Sequence, residues 1–124
     1  MASMADDATA KTFAVPDGKA SLYVYRNESL GGAIPMTVAL NGKVAGQSGP
    51  QTYFLFHVDP GTHEVSSIAE NTSLLRVTAE SGKAYFVWQE VKMGVMYARN
   101  KLNLVDEATG KAGVAACSLI EAAK

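Results

Sequence analysis

Two histidines flank a turn signal near the middle of the chain, and they are the residues best placed for chemistry. His57 ends an apolar run, Asp59-Pro60-Gly61 follows it, and His63 lies at the start of the next run. In a tight hairpin the two rings would lie opposite or diagonal to each other on one face. With Asp59 or Glu64 they would form a divalent-metal site or a small hydrolase centre, because imidazole and carboxylate are common zinc ligands.

That site requires one particular strand register. A slip of one residue would place the two rings on opposite faces of the sheet, and the spacing matches no established zinc motif. The structural interpretation has His63 hydrogen bonded to the turn backbone and His57 partly buried in a strand. We therefore predict no catalytic residue, no metal and no cofactor, and keep a hydrolase or metal-binding protein using His57 and His63 as an alternative.

Arg26 ends the aromatic run that begins at Ser21. Its guanidinium would clamp a carboxylate or phosphate of a ligand, or stack on a tyrosine or pair with Glu28 at a sheet edge. The following segment to Pro35 contains the turn-forming pair Gly31-Gly32 and is predicted to be a surface loop. The predicted binding residues are Tyr25, Arg26, Asn27, Gly31, Gly32, His57 and His63.

The aromatic side chains allow two interpretations. As an exposed platform they would bind a glycan or peptide through large contact areas with polar edges; as core residues they would fill the space between two sheets. The residues concerned are Tyr23, Tyr25, Tyr53, Tyr85, Tyr97 and Trp88. We favour the filled core, which argues against another alternative, a small-ligand carrier with an inter-sheet cavity. The expected core residues are Phe54, Phe56, Phe86 and Trp88.

Turn signals divide the chain into short apolar runs that are typical of β-strands. Asn41-Gly42 predicts a two-residue hairpin, and alanines after Asp106 predict a short C-terminal helix. The predicted strands are Ala20–Arg26, Met36–Leu40, Lys43–Gln47, Tyr53–Val58, Thr62–Ile68, Ser73–Glu80, Ala84–Lys92 and Met96–Val105. The fold class is therefore all-β, an antiparallel two-sheet sandwich of seven or eight strands in the style of transthyretin or immunoglobulin domains.

Size and charge narrow the class of protein. A chain of 124 residues is one domain, which we assign to residues 13–124, with residues 1–12 as a disordered N-terminal segment left from cloning. A net charge of −1 with scattered basic residues does not favour nucleic acid. No run approaches the roughly 20 apolar residues of a membrane span. The single cysteine, Cys117, is expected to pack as a small apolar residue.

Several of these runs together resemble a bacterial family of unknown function. The matching segments are Leu22-Tyr23-Val24-Tyr25-Arg26, Asn41-Gly42-Lys43, Val58-Asp59-Pro60-Gly61-Thr62-His63 and Gly82-Lys83-Ala84-Tyr85-Phe86, in order between about Gly18 and Val105. Members are small exported proteins, many of them predicted lipoproteins. The resemblance implies a β-sandwich and a place in the cell envelope, in the periplasm or at the outer membrane, but it supplies no catalytic residue to transfer.

These observations lead to a functional expectation. We expect a non-enzymatic binding or structural accessory module of the bacterial cell envelope, with an envelope protein or envelope polymer as its partner. Edge strands offer pairing to a partner strand, and the loops at 27–35 and 46–52 offer recognition surfaces. Membrane attachment would come only from an N-terminal lipid anchor outside this sequence, and the protein would be a monomer or weak dimer.

Overall fold

Two packed β-sheets and two short helices make up the computed structural model, which describes residues 2–28, 35–69, 71–93 and 98–122. The first sheet has the order β8-β7-β1-β4-β9 and the second has the order β3-β2-β5-β6. The strands are β1 (Ala20–Arg26), β2 (Met36–Leu40), β3 (Lys43–Ser48), β4 (Thr52–Val58), β5 (Gly61–Ile68), β6 (Thr72–Ala79), β7 (Ala84–Met93), β8 (Ala98–Val105) and β9 (Ser118–Leu119). The predicted sandwich is confirmed; β1 with β7 and β4 with β9 pair in parallel.

The two strongest turn signals have different outcomes. Asn41 and Gly42 have φ of 51° and 82° and join β2 to β3 as the predicted hairpin. The turn at Asp59-Pro60-Gly61 connects two sheets instead, because β4 pairs with β1 whereas β5 pairs with β2 and β6. The hairpin predicted around that turn is therefore wrong, although the reversal of chain direction is correct.

Strand β1 is buried along its whole length, as its apolar character on both faces predicts. Its even-numbered residues, such as Leu22 and Val24, pack between the sheets with Phe54. Its odd-numbered residues Tyr23 and Tyr25 pack on the outer face of the first sheet. Phe86 and Trp88 also lie in this outer cluster, so the prediction that they fill the inter-sheet core is wrong, whereas it holds for Phe54 and Phe56.

Helices cover the outer face of the first sheet. Helix α2 (Glu107–Ala115) is the predicted C-terminal helix, and its N-cap Asp106 accepts a hydrogen bond from the Thr109 amide. Helix α1 (Met4–Ala10) occupies the segment expected to be disordered. That expectation is wrong because Tyr23 Oη donates to the Ala10 carbonyl at 2.7 Å and holds the helix on the sheet. Among the described residues no helix is long and apolar enough to cross a bilayer.

One side of the sandwich is closed by asparagine side chains. Asn71 Oδ1, at the loop before β6, accepts from the Asn100 amide of β8 at 2.9 Å, and Asn71 Nδ2 donates to the Asn100 carbonyl at 2.9 Å. Ser73 Oγ accepts from the Leu102 amide at 3.0 Å. These bonds join the edge strands β6 and β8 of the two sheets in place of strand pairing. Among the described residues, the side of the sandwich without such bonds is the opposite one, near β3 and β9.

Candidate functional site

Arg26 is completely buried between the sheets at the end of the central strand β1. Its Nε donates to Glu28 Oε1 at 2.6 Å, and its Nη1 donates to the Ser48 carbonyl at 3.4 Å. The predicted pairing with Glu28 is present, but not at a sheet edge. Because residues alternate between faces of a strand, Arg26 is separated from its neighbour Tyr25, and the two do not form one ligand site.

A buried chain of polar side chains lies beside Arg26 and crosses between the sheets. Ser48 Oγ donates to Gln89 Oε1 at 2.6 Å, and Gln89 Nε2 donates to Ser67 Oγ at 2.6 Å. All three residues are at most 2% exposed. Sequence reasoning missed this chain of polar side chains. The available signal was alternation along the strand, which places Gln89 on the same inward face as Val87 and Val91.

Tyr25 and Asn27 border a groove on the outer face of the first sheet. The groove has a volume of about 370 Å³ and is also lined by Trp88, Thr109, Ala112 and Gly113. The Trp88 Nε1 atom is buried and has no acceptor among the described residues. Burial raises the pKa of Tyr25, with smaller contributions from Cys117 and Asp106. The predicted residues Gly31 and Gly32, and the aromatic Tyr97, lie outside the described residues.

The two histidines have separate surroundings. His57 Nδ1 lies 3.2 Å from Ser21 Oγ in the first sheet. His63, in the second sheet, has Nε2 2.7 Å from the Asp59 carbonyl oxygen and Nδ1 2.9 Å from Asn41 Nδ2. The prediction that His63 bonds the turn backbone is confirmed. His57 is exposed rather than partly buried, although contact with the sheet desolvates its ring and lowers its pKa.

These contacts do not assemble the site predicted around the turn. No cluster of three or more metal-ligating side chains occurs within the described ranges. Ser21, the hydroxyl beside His57, is fully buried, and its position within the sheet does not present it to a substrate. Each histidine therefore has a structural partner of its own: a strand neighbour for His57 and the turn for His63.

The buried thiol of Cys117 packs in the outer cluster, as the sequence predicts. Its Sγ donates to the Arg26 carbonyl at 3.5 Å. Burial raises the pKa of this thiol to about 11. A nucleophilic cysteine needs a lowered pKa and access to solvent, so the surroundings of Cys117 favour packing over reactivity.

An open strand edge lies beside a second groove. The Ser118 amide donates to the Gln51 carbonyl at 2.9 Å, and the Ile120 amide donates to the Tyr53 carbonyl at 2.8 Å. Odd-numbered residues of β4 therefore direct their peptide groups toward β9. Strand β9 ends at Leu119, and no described strand pairs with β4 beyond it on this side.

That groove has a volume of about 320 Å³. One border is α1 with the residues that follow it, and the other is the C-terminal segment that follows β9. Its lining includes Leu55 and His57 of β4, Asp6 of α1, and Glu121. Sequence reasoning missed this groove because it predicted neither α1 nor β9, and both borders depend on them.

Comparison with known proteins places these features in a family. The model of the family described as "Protein of unknown function (DUF2846)" matches residues 16–101. An uncharacterized protein of Haemophilus influenzae is 35% identical over 116 residues, which cover 92% of this chain and 69% of that protein. The family match spans more than half of the chain, so this chain belongs to the DUF2846 family of unknown function.

Proposed function

We propose that this chain is a non-enzymatic accessory module of the bacterial cell envelope that binds an envelope protein or polymer through one end of the sandwich. The observation that carries this proposal is the bond from Arg26 Nη1 to the Ser48 carbonyl at 3.4 Å. It joins the end of β1 to the end of β3, and the two loops expected to form recognition surfaces start there.

The bases of these loops are fixed by further contacts. Thr52 Oγ1 donates to the Gly49 carbonyl at 2.8 Å and accepts from the Gly49 amide at 3.0 Å. Thr52 is also the strand partner of Arg26. Asn27 and Gln51 are therefore exposed at the same end of the sandwich, on a base that needs little ordering when a partner binds.

The conformation of Gln51 adds to this argument. Its φ of 55° lies in the left-handed region, which is uncommon for a residue other than glycine. Strained backbone of this kind occurs preferentially at functional sites. Gln51 is exposed at the tip of the turn, where its side chain is available to a partner.

The non-enzymatic part of the proposal rests on the side chains that sequence reasoning selected for chemistry. Arg26 is buried against Glu28, His63 is bonded to its turn, and Cys117 has a raised pKa. These groups support the fold and are not gathered in one cleft. The envelope location rests on the resemblance to exported proteins alone, whereas the relative from Haemophilus influenzae supports the bacterial origin.

The test is a crosslinking pull-down from native cell envelopes with the full-length precursor tagged at its C-terminus. The variant Asn27→Arg/Gln51→Arg changes only exposed side chains at the proposed end. Its matched control, Ser81→Arg, adds a charge at the exposed turn between β6 and β7, at the opposite end. The proposal predicts a partner that is captured by wild type and by the control but not by the double variant. Equal capture by all three proteins would contradict it.

A second candidate function is small-ligand binding, and the buried Trp88 Nε1 without an acceptor favours it. The space between the sheets contains Leu22, Val24 and Phe54, so a ligand site would lie in the groove beside Tyr25 and Trp88 on the outer face. The ligand would need a hydrogen-bond acceptor for the indole N–H. Trp88 fluorescence during titration with envelope extracts tests this candidate, since a bound acceptor changes indole emission.

A further inference from the structure

We infer that the open edge of β4 at Leu55 and His57 is a binding slot for an extended basic segment of another protein, which adds a strand to the first sheet. This surface lies on the side of the sandwich and is separate from the end where Asn27 and Gln51 lie. The inference therefore does not depend on the proposed function.

The peptide groups of β4 provide the first argument. The even-numbered residues of β4 bond to β1, and the odd-numbered residues face the side of β9. Gln51 and Tyr53 have partners there, whereas the N–H and C=O groups of Leu55 and His57 have none among the described residues. An open edge of this kind pairs with an extended chain.

The walls of the groove provide the second argument. Helix α1 with the residues to Ala14 borders the outer side, and the segment Ile120–Ala122 borders the other side. Ile120 and Ala122 pack against the inter-sheet core, and beyond the Ile120 amide the described part of this segment forms no backbone hydrogen bond to β4. The cavity of about 320 Å³ lies between this segment, α1 and the residues Leu55 and His57, and it accommodates a short extended segment.

Charge selects the kind of segment. Asp6 and Glu121 line the groove and are both exposed. Neither carboxylate forms an ion pair within the described part of the chain, whereas the neighbouring Asp7 is paired with Lys11 at 3.0 Å. No lysine or arginine lies among the lining residues of this groove. A segment that carries lysine or arginine complements these charges, and it must lack proline where it donates N–H groups to the edge.

The experiment titrates the full chain with an acetylated and amidated peptide, Thr-Val-Lys-Val-Thr, and follows amide hydrogen exchange by NMR. We expect exchange at Leu55 and His57 to slow by about tenfold at saturation, because exchange requires the new bonds to open. The matched control peptide is N-methylated at the lysine and at the preceding valine. It has lost one donor in each strand phase, and its two N-methyl groups prevent close pairing with the β4 edge in either phase, so it should leave exchange unchanged.

Two protein variants complete the design. Asp6→Asn/Glu121→Gln alters only exposed side chains and should weaken binding about fivefold, the scale expected when one lysine loses two exposed carboxylates as partners. Gln51→Arg, at the other proposed surface, should bind the peptide as wild type does. The inference is overturned if exchange at Leu55 and His57 does not change at millimolar peptide, if the N-methylated peptide slows it equally, or if the amides become protected by self-association when protein concentration rises.

Discussion

Gly110 of α2 lies directly on the side chain of Phe86 in β7, because a Cβ at position 110 would overlap the Phe86 Cβ and Cγ atoms. Gly113, one helical turn later, lies on Tyr25 of β1 in the same way, with its absent Cβ placed 2.8 Å from Tyr25 Cζ. Both glycines are on the face of the helix that contacts the sheet. Their lack of a side chain is what allows the helix backbone to approach the aromatic cluster.

Gly110→Ala should lower the free energy of unfolding by about 2 kcal/mol, because overpacking against a fixed ring outweighs the gain in helix propensity. The measurement is urea unfolding followed by Trp88 fluorescence. Gly49→Ala is the matched control, since a Cβ at position 49 meets no atom within 4 Å, and it should change stability by less than about 0.5 kcal/mol. A neutral or stabilising Gly110→Ala would show that the helix does not lie on Phe86.

Glu28→Ala should destabilise the fold by about 3 kcal/mol, because it removes the carboxylate that neutralises a buried guanidinium. The Arg26 side chain is 0% exposed and that of Glu28 is 21% exposed, so the loss should depend little on salt. The exposed pair of Lys19 and Asp59 gives the control, and Lys19→Ala should cost at most about 1 kcal/mol. Urea unfolding at low and high NaCl concentration separates the two cases.

Local sequence signals predict most of the strands but not how the strands are divided between sheets. The bounds of β1 and β2 agree with prediction, because apolar runs and turn residues define them locally. Asp59-Pro60-Gly61 encodes a reversal, yet a reversal is compatible with either a hairpin or a crossing between sheets. Which strand pairs with β4 depends on contacts between residues that are distant in sequence, such as the pairing of Tyr25 with Tyr53.

The same limit applies to the candidate sites. Tyr25 and Arg26 are adjacent in sequence, and their adjacency predicts one shared binding site, but they lie on opposite faces of a buried central strand. The β4 edge was unpredictable because one wall of its groove is α1, a helix whose apolar residues are an exposed methionine and small alanines, and which hydroxyl groups hold in place. The polar bonds of Tyr23 and Tyr53 to this helix leave no hydrophobic pattern in the sequence.

Stability should decrease at alkaline pH because of Cys117. Burial raises the pKa of its thiol to about 11 from an ordinary value of 9.0. The unfolded chain therefore loses this proton at lower pH than the folded chain, so the contribution is complete below pH 9.0 and is lost as pH rises toward about 11. Cys117→Ala should flatten this part of the curve of unfolding free energy against pH. An unchanged curve would contradict the assignment. Three tyrosines whose pKa burial also raises, Tyr23, Tyr25 and Tyr53, account for the loss that remains.

Tyr53→Phe should release α1 without unfolding the sandwich. Tyr53 Oη donates to Asp7 Oδ1 at 2.6 Å, and a helix of seven residues is not stable by itself in water. Loss of a hydrogen bond to a charged group costs about 1.5–3 kcal/mol, so amide exchange in α1 should accelerate by at least about tenfold. Tyr85→Phe makes the same chemical change away from α1, where Tyr85 Oη accepts from the Glu80 amide, and should leave α1 protected.

Acid should release the same helix in the wild-type protein. Desolvation raises the pKa of Asp7, but the hydrogen bonds from Tyr53 and Lys11 and the charge of Lys11 outweigh it, so the pKa lies below the ordinary value of 3.8. The Asp7 contribution is therefore present above pH 3.8 and is lost as pH falls through the lowered folded pKa. Exchange in α1, measured between neutral and acidic pH and corrected for intrinsic rates, should accelerate in that window in wild type and much less in Asp7→Asn. If acid accelerates exchange in α1 equally in wild type and in Asp7→Asn, the group whose protonation releases the helix is not Asp7.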